Sequence, residues 1–255
     1  MRPLLLLLSL LCLPFPLLAE PLEIRVGGYV FPPYVQVDEQ GQWHGLTLDV
    51  LAALNARQSD YRFVFFPTSA TRRYHDFAHH QYDLMLFESP QWGWQRFGVV
   101  GHPGPVTGRE LFVAQRQPGR DQDYFADLAD KRIAVFSGYH YAFADYNPDR
   151  VYLRAEHNAI ITFAHESNIQ LVLRGRAELG VVSEAFLQDY LATYPQYRSQ
   201  LLIADQADQL YEYWFVLRRD APPGLPVLAE LVGELEHEGV LQGLLQRYQL
   251  PRQRF

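Results

Sequence analysis

An α/β fold in two lobes joined by a hinge is what this 255-residue chain predicts, on three observations. Between Leu22 and Phe87 the β-rich and helix-like runs alternate as strand, helix, strand, helix, strand, the pattern of a parallel, right-handed sheet. A second cycle of the same kind begins at Lys131. Two polar stretches, Gln115–Asp123 with Pro118-Gly119 at its centre and residues 203–211, read as crossings, and the amphipathic Leu225–Tyr248 returns to the first unit. Residues 20–116 and 210–255 are therefore expected to form lobe 1 and residues 117–209 lobe 2, with hinge crossings near 115–123 and 203–211.

Taken in order, Leu22–Val26 alternates and is β-favouring, and it ends at Gly27-Gly28. Pro32 and Pro33 forbid a helix or central strand, which leaves Tyr29, Phe31 and Tyr34 on a stiff loop beyond the carboxyl end of the strand, where open α/β sheets bind ligands. Asp38–Gln42 reads as a turn. Thr47 and Asp49 are expected to start a helix with Leu48, Leu51 and Leu54 on one side. Tyr61–Phe66 reads as a strand covered on both faces, Thr71–His80 as a short helix and Tyr82–Phe87 as a buried strand with Glu88 and Ser89 at its end. Trp92, Trp94 and Arg96 fall in a loop, and Glu110–Ala114 reads as the strand leaving the lobe. In the second cycle Lys131–Phe136 is a strand, and the turn Ser137–Tyr141 is expected to open a helix whose free amides face the cleft. Val151–Arg154 reads as a strand, Glu166–Arg174 as a helix, and Leu179–Val182 as a strand ending at Ser183-Glu184, followed by a helix to about Thr193. Tyr211–Arg218 is the last strand, and Gly239 interrupts the terminal helical region.

Arg2 followed by the apolar run Leu4–Leu18 and Ala19 has the form of a signal peptide over residues 1–19, so export to the periplasm is expected. Cleavage would leave 236 residues and remove Cys12, the single cysteine, so that disulfide and thiol chemistry are excluded from the mature protein. Without Arg2, 21 basic residues face 29 acidic ones, a net charge of −8. That balance, with no basic run or basic amphipathic helix, excludes nucleic acid as a partner. The chain is 48% hydrophobic and 14% aromatic, ample for a core.

The segment Tyr29-Val30-Phe31-Pro32-Pro33-Tyr34, the Asp38-Glu39-Gln40-Gly41 turn and Gly45-Leu46-Thr47-Leu48-Asp49 together resemble the opening of the bacterial extracellular solute-binding proteins of family 3, the polar-amino-acid-binding type. Leu173-Arg174-Gly175-Arg176-Ala177-Glu178 is similar to the helix end and turn of that family, with Glu178 in place of the usual Asp, and the order of elements extends the resemblance over the mature chain. It implies a two-lobed periplasmic-binding-protein-like fold with an interlobe cleft, closing over a small solute for an ABC permease. A ligand-sensing or scaffold partnership with a membrane sensor is the alternative, and a cyclohexadienyl dehydratase-like enzyme a lesser one. A monomer without cofactor or metal is expected.

In that family an arginine after the third strand holds the carboxylate of the ligand and an aspartate of lobe two its ammonium; here these positions carry Trp92 and Ser183, with Arg96 and Glu184 nearby. Candidate ligand-binding residues are therefore Tyr29, Phe31, Tyr34, Arg72, Glu88, Trp92, Arg96, Tyr139, His140, Ser183 and Glu184. Aromatic faces with Glu88 or Glu184 suit an amine, whereas Arg72 favours an anion; Arg72 and Arg73 read equally as a solvated helix face. His75 and His79 have the spacing of two metal ligands on a helix, with no third of convincing spacing. No Gly-x-Ser-x-Gly, phosphate loop, dinucleotide fingerprint or catalytic cysteine is present.

Overall fold

The computed structural model describes residues 20–250; the expected signal peptide and Cys12 lie outside them. β1 (Leu22–Gly28) leads into the aromatic loop, in which Phe31 and Val35 form a bridge, then into the hairpin of β2 (Gln36–Val37) and β3 (Trp43–His44). α1 (Leu46–Arg57) starts on Gly45 at φ 125° rather than on a side-chain cap at Thr47. Glycine is required there because a Cβ would lie 2.6 Å from the carbonyl oxygen of Tyr34. The helix thereby docks directly onto the aromatic loop, whose Pro33 and Tyr34 carbonyls accept from Leu46 and Thr47.

β4 (Tyr61–Pro67), α2 (Arg73–Ala78) and β5 (Leu84–Glu88) complete the first unit, with β1 parallel to both β4 and β5. β4 lies at the edge of the sheet, and only Phe63 in it is fully buried, so the expectation of cover on both faces fails. Two short 3₁₀ turns carry Trp92 and Trp94 to β6 (Val99–Gln115), a single long strand that takes in the expected Glu110–Ala114.

β7 (Ile133–Phe136), α3 (Arg150–His157), β8 (Ala159–Thr162), α4 (His165–Leu173), β9 (Leu179–Ser183) and α5 (Glu184–Thr193) make the second unit. Val151–Arg154 is helical, not a strand. The Asp149 carboxylate caps α3 by accepting from the amides of Val151 (2.9 Å) and Tyr152 (2.8 Å), and the strand expected there is β8, beyond the left-handed Asn158. The turn after β7 opens only a 3₁₀ turn at Ala142–Ala144, whose first amides are taken by the Asp208 carboxylate at 2.9 Å each. β10 (Leu201–Arg218) pairs antiparallel with β6 along its length, so the stretch 205–209, read as polar connection, is strand with bulges. α6 (Leu225–His237) and α7 (Val240–Arg247) follow, separated by the left-handed Gly239, and α7 packs back on α1.

The eight-stranded sheet runs β4-β1-β5-β10-β6-β9-β7-β8. The long pair β10 and β6 carries the chain between its two ends, and the residues at the carboxyl ends of β1, β5, β7 and β9 converge beside it. Among the described residues no helix is long and apolar enough to cross a membrane.

Candidate functional site

The aromatic loop is a wall rather than a fringe. Phe31 stands 5.1 Å from Tyr34, 5.9 Å from Tyr213, 6.1 Å from Trp92 and 5.6 Å from Tyr139 between ring centres. Trp92 in turn meets Tyr211 at 5.0 Å. Because Tyr139 belongs to the second unit and Tyr29, Phe31 and Trp92 to the first, these edge-on ring contacts join the two units across the site.

Arg73 makes the polar counterpart of that junction. Its guanidinium is buried, donates to the carbonyl oxygens of Ala70 and Gly138 (3.1 Å to the latter), to the Tyr74 hydroxyl at 2.8 Å and toward His140 Nδ1 at 3.4 Å, and stands 3.4 Å from Glu88. Glu88 also accepts from the Trp94 indole at 2.7 Å and from Tyr29. Burial raises the Glu88 carboxyl, and Arg73 with these donors opposes the rise. Since Arg73 donates to Nδ1 of His140, the ring proton sits on Nε2. Burial, with Arg73 and Arg96 near, holds His140 down at about 3, so it is a neutral donor.

Tyr29, Arg73, Trp92, Glu110, Tyr139, His140 and Gln209 enclose a cavity of about 10 Å³, room for roughly one water. Five of these seven residues carry a buried polar atom without a hydrogen-bond partner in the protein: Trp92 Nε1, Glu110 Oε2, the Tyr139 hydroxyl, His140 Nε2 and Gln209 Oε1; Arg73 Nε has Glu88 at 3.4 Å. Buried polar atoms without partners are uncommon, each costing about 1–3 kcal/mol. Five around one small space leave donors and acceptors open to a polar group. Burial keeps the Tyr29 and Tyr139 hydroxyls protonated, well above their ordinary value. Burial likewise pushes the Glu110 carboxyl up to about 8, against a hydrogen bond from Tyr211 and with Asp208 adding to the rise. Beyond Tyr211 an open groove of about 710 Å³ runs past Ser89, Thr107, Arg109, Glu184 and Trp214.

Of the residues singled out in the sequence, Tyr29, Phe31, Tyr34, Glu88, Trp92, Tyr139 and His140 come together here, all buried. Ser183 is buried next to Glu110 across the ladder. Glu184 lies in the outer groove, in a two-point ion pair with Arg109. Arg72 is exposed, turned away toward a surface hollow with His75 and His79 and 3.4 Å from Asp76. Arg96 is exposed over the rings of Tyr74 and Phe97. The His75 and His79 rings stack at 4.0 Å, and among the described residues no group of three His, Cys, Asp or Glu could hold a metal. Arg73, Glu110 and Gln209 are residues that sequence reasoning missed. For Arg73 a signal existed: it is four residues before the apolar Phe77, one helical turn along the buried face, whereas Arg72 is rotated off it.

A family model described as ABC transporter, phosphonate, periplasmic substrate-binding protein matches residues 109–242, just over half of the chain. The chain belongs to this family. No curated protein sequence matches it. Solved structures give the same fold at low identity. A mutant of ArgBP from T. maritima aligns at 18% identity and TM-score 0.68, over 89% of this chain and 94% of that one. A binding component of an ABC transporter from Wolinella succinogenes, complexed with lysine, aligns at 16% and 0.69, over 88% and 94%. An ancestral amino acid-binding protein described as a precursor of cyclohexadienyl dehydratase aligns at 18% and 0.64, over 89% and 95%. The periplasmic substrate-binding protein described here thus has the two-lobed fold its sequence led one to expect.

Proposed function

We propose that this periplasmic substrate-binding protein closes over a small amino-acid-like solute in the cavity between Tyr29, Arg73, Glu110 and Tyr139, and presents the closed form to an ABC permease. The observation that carries the reading is that five of the residues around one space carry unpartnered buried polar atoms. Arg73, Trp92, Tyr139 and His140 supply donors for an acceptor group of the solute; Glu110 and Gln209 supply acceptors for its donor. At about 10 Å³ the cavity as it stands is smaller than such a solute, so binding requires the lobes to part and to close again around it. Residues 20–116 with 210–255 would move against 117–209 about the paired strands β6 and β10. The ligand favours closure because its contacts come from both lobes at once.

The charges argue against a phosphonate as cargo. Arg73 is already matched by Glu88, and among the described residues no second arginine or lysine lines the cavity, so a doubly charged anion would find no free counter-charge. They argue equally against dehydration of a cyclohexadienyl acid, since among the described residues Arg73 is the one guanidinium on the cavity wall. Binding rather than catalysis fits the site.

A thermal-shift screen of the purified mature protein against amino acids, amines, organic acids and phosphonates tests this. A solute at 100 times its dissociation constant adds about 2.7 kcal/mol and raises the melting temperature visibly. A rise with amino-acid-like solutes is expected; a rise with phosphonates alone would overturn the assignment.

A further inference from the structure

Glu110 and His140 share the wall of the small cavity, and each lies where its charged form is opposed. Glu110 is 1% exposed, receives one hydrogen bond, from the Tyr211 hydroxyl at 3.1 Å, and among the described residues forms no ion pair. Around it stand the neutral Ser183 and Gln209 on the neighbouring strands, the hydroxyls of Tyr34, Tyr139 and Tyr141, and the Asp208 carboxylate, whose repulsion adds to the cost of a negative charge. His140 is buried too. Its Nδ1 faces an Arg73 N–H at 3.4 Å, its ring stands edge-on to Tyr74 at 6.1 Å, its carbonyl oxygen accepts from Gln209, and the Arg96 cation lies over the far ring of Tyr74. An imidazolium there would aim its own N–H at a guanidinium, and its Nε2 has no partner. Glu88, the carboxylate beside Arg73, is already engaged by Arg73, Trp94 and Tyr29.

The cover over both groups is made across the boundary between the units. Arg73 and Tyr74 of the first unit meet His140 of the second, and Tyr139 and His140 share the wall with Glu110. Parting the lobes to admit a solute brings water to both groups, and a hydrated carboxyl and imidazole return to their ordinary values of about 4.3 and 6.5. Closed, Glu110 is pushed up to about 8 and His140 down to about 3. Between about pH 4.3 and 6.5 the open form is therefore ionised at both groups and the closed form at neither.

We infer that closure over the solute is coupled to protons at this pair: as the lobes meet, the Glu110 carboxylate binds a proton and the His140 imidazolium gives one up. The inference rests on the solute-binding reading above and names how that site is regulated. Between about pH 4.3 and 6.5 the two exchanges cancel, and no proton is drawn from solvent. Above about 6.5 His140 is neutral in both forms, so Glu110 takes its proton from solvent. The closed form then holds more protons than the open one, and affinity falls as pH rises toward about 8, where the closed carboxyl ionises as well.

The test is titration calorimetry of the purified mature protein in pairs of buffers with unlike ionisation heats, which counts the protons exchanged on binding. The probes are the amino acids other than histidine and cysteine, whose own groups do not titrate in the range used, and the tightest is carried forward. The native protein is expected to take up about 0.7 of a proton at about pH 7.5 and about none at about pH 5.5, and to bind about sevenfold more weakly at the higher pH. Glu110→Gln leaves His140 as the exchanging group, so its affinity should rise about tenfold over the same interval, the opposite sign. His140→Gln leaves Glu110, and its affinity should fall about 70-fold. Each protein is compared with itself across pH, so a loss of affinity common to all pH values does not enter; where a variant fails to fold, the native proton counts decide alone. Equal proton exchange by the native protein at the two pH values, or a Glu110→Gln protein whose affinity still falls as pH rises, would overturn the inference and leave the solute-binding reading standing. Failure of the native protein to bind any probe, with the thermal screen also silent, would overturn both.

Discussion

Glu110 and Ser183 are direct ladder partners across β6 and β9, and each keeps a buried oxygen that nothing in the protein satisfies. The consequence for the empty protein is a pH dependence. Burial pushes Glu110 up to about 8, well above the range of a carboxyl in an unfolded chain. Between those values the folded protein holds a proton that the unfolded chain has released, so stability falls as pH rises. The Glu110 contribution is fully present below about pH 4 and is lost as pH passes about 8. Urea denaturation of the solute-free protein from about pH 5 to about 8.5 should show this decline, and Glu110→Gln should flatten it, gaining stability over the native protein at about pH 8 and little at about pH 5. An unchanged slope would mean that another group carries the dependence.

Arg73 and Glu88, both 1% exposed and 3.4 Å apart, pair within the first unit, and Arg73 reaches the second through the Gly138 carbonyl oxygen at 3.1 Å. Arg73→Met leaves Glu88 buried without its cation and removes the bonds to Ala70, Gly138 and Tyr74, so a loss of about 3–5 kcal/mol is expected. Glu88→Gln in the same protein should recover part of it, and the non-additivity of the double-mutant cycle measures the coupling. Arg72→Ala, one residue away but solvent-exposed, should change stability by less than about 0.5 kcal/mol.

Asp149 sets the start of α3 in a stretch whose β-branched and aromatic residues suggested a strand. Its carboxylate accepts from two first-turn amides, and Asp149→Ala should cost about 1 kcal/mol. Asp149→Ser, which keeps a capping oxygen, should cost less; equal losses would show that the cap does not matter there.

What the sequence revealed and what it hid divide along physical lines. The order of strands and helices was readable because hydrophobic periodicity and the breaks at Gly27-Gly28, Pro32-Pro33 and Gly239 are local signals. The aromatic half of the site was readable for the same reason, since Tyr29, Phe31 and Tyr34 follow directly on a strand. Glu110 and Gln209 were hidden. Their meaning comes from ladder partners far away along the chain, and no local rule shows that a carboxylate in Arg109-Glu110-Leu111 faces the core while its neighbour faces out. The resemblance to family 3 directed attention to Ser183 as the place where a carboxylate was missing. The register shows a carboxylate facing it from the next strand. Arg72 against Arg73 turned on a single residue of helical phase, about 100° of rotation, which a six-residue helix without a side-chain cap does not announce.

Gly138 offers a way to hold the lobes apart without touching a polar group of the site. It has φ 84°, and a Cβ there would lie 2.9 Å from the carbonyl carbon of Ala70 and 2.9 Å from the Thr71 methyl, atoms of the opposite unit. Ala70 is backbone held by Arg73, so it has little freedom to give way. Gly138→Ala therefore opposes closure by contact as well as by its own strained backbone, of order 1–3 kcal/mol. Solute affinity should fall by about 5- to 150-fold if that whole penalty bears on closure. Small-angle scattering with saturating solute should show the variant retaining the larger radius of gyration that the native protein gives up on binding. Glycine is the single residue that avoids both costs, so Gly138→Ser should behave as Gly138→Ala does. Full compaction of either variant at the native affinity would show that the Ala70–Gly138 contact forms no part of the closed state.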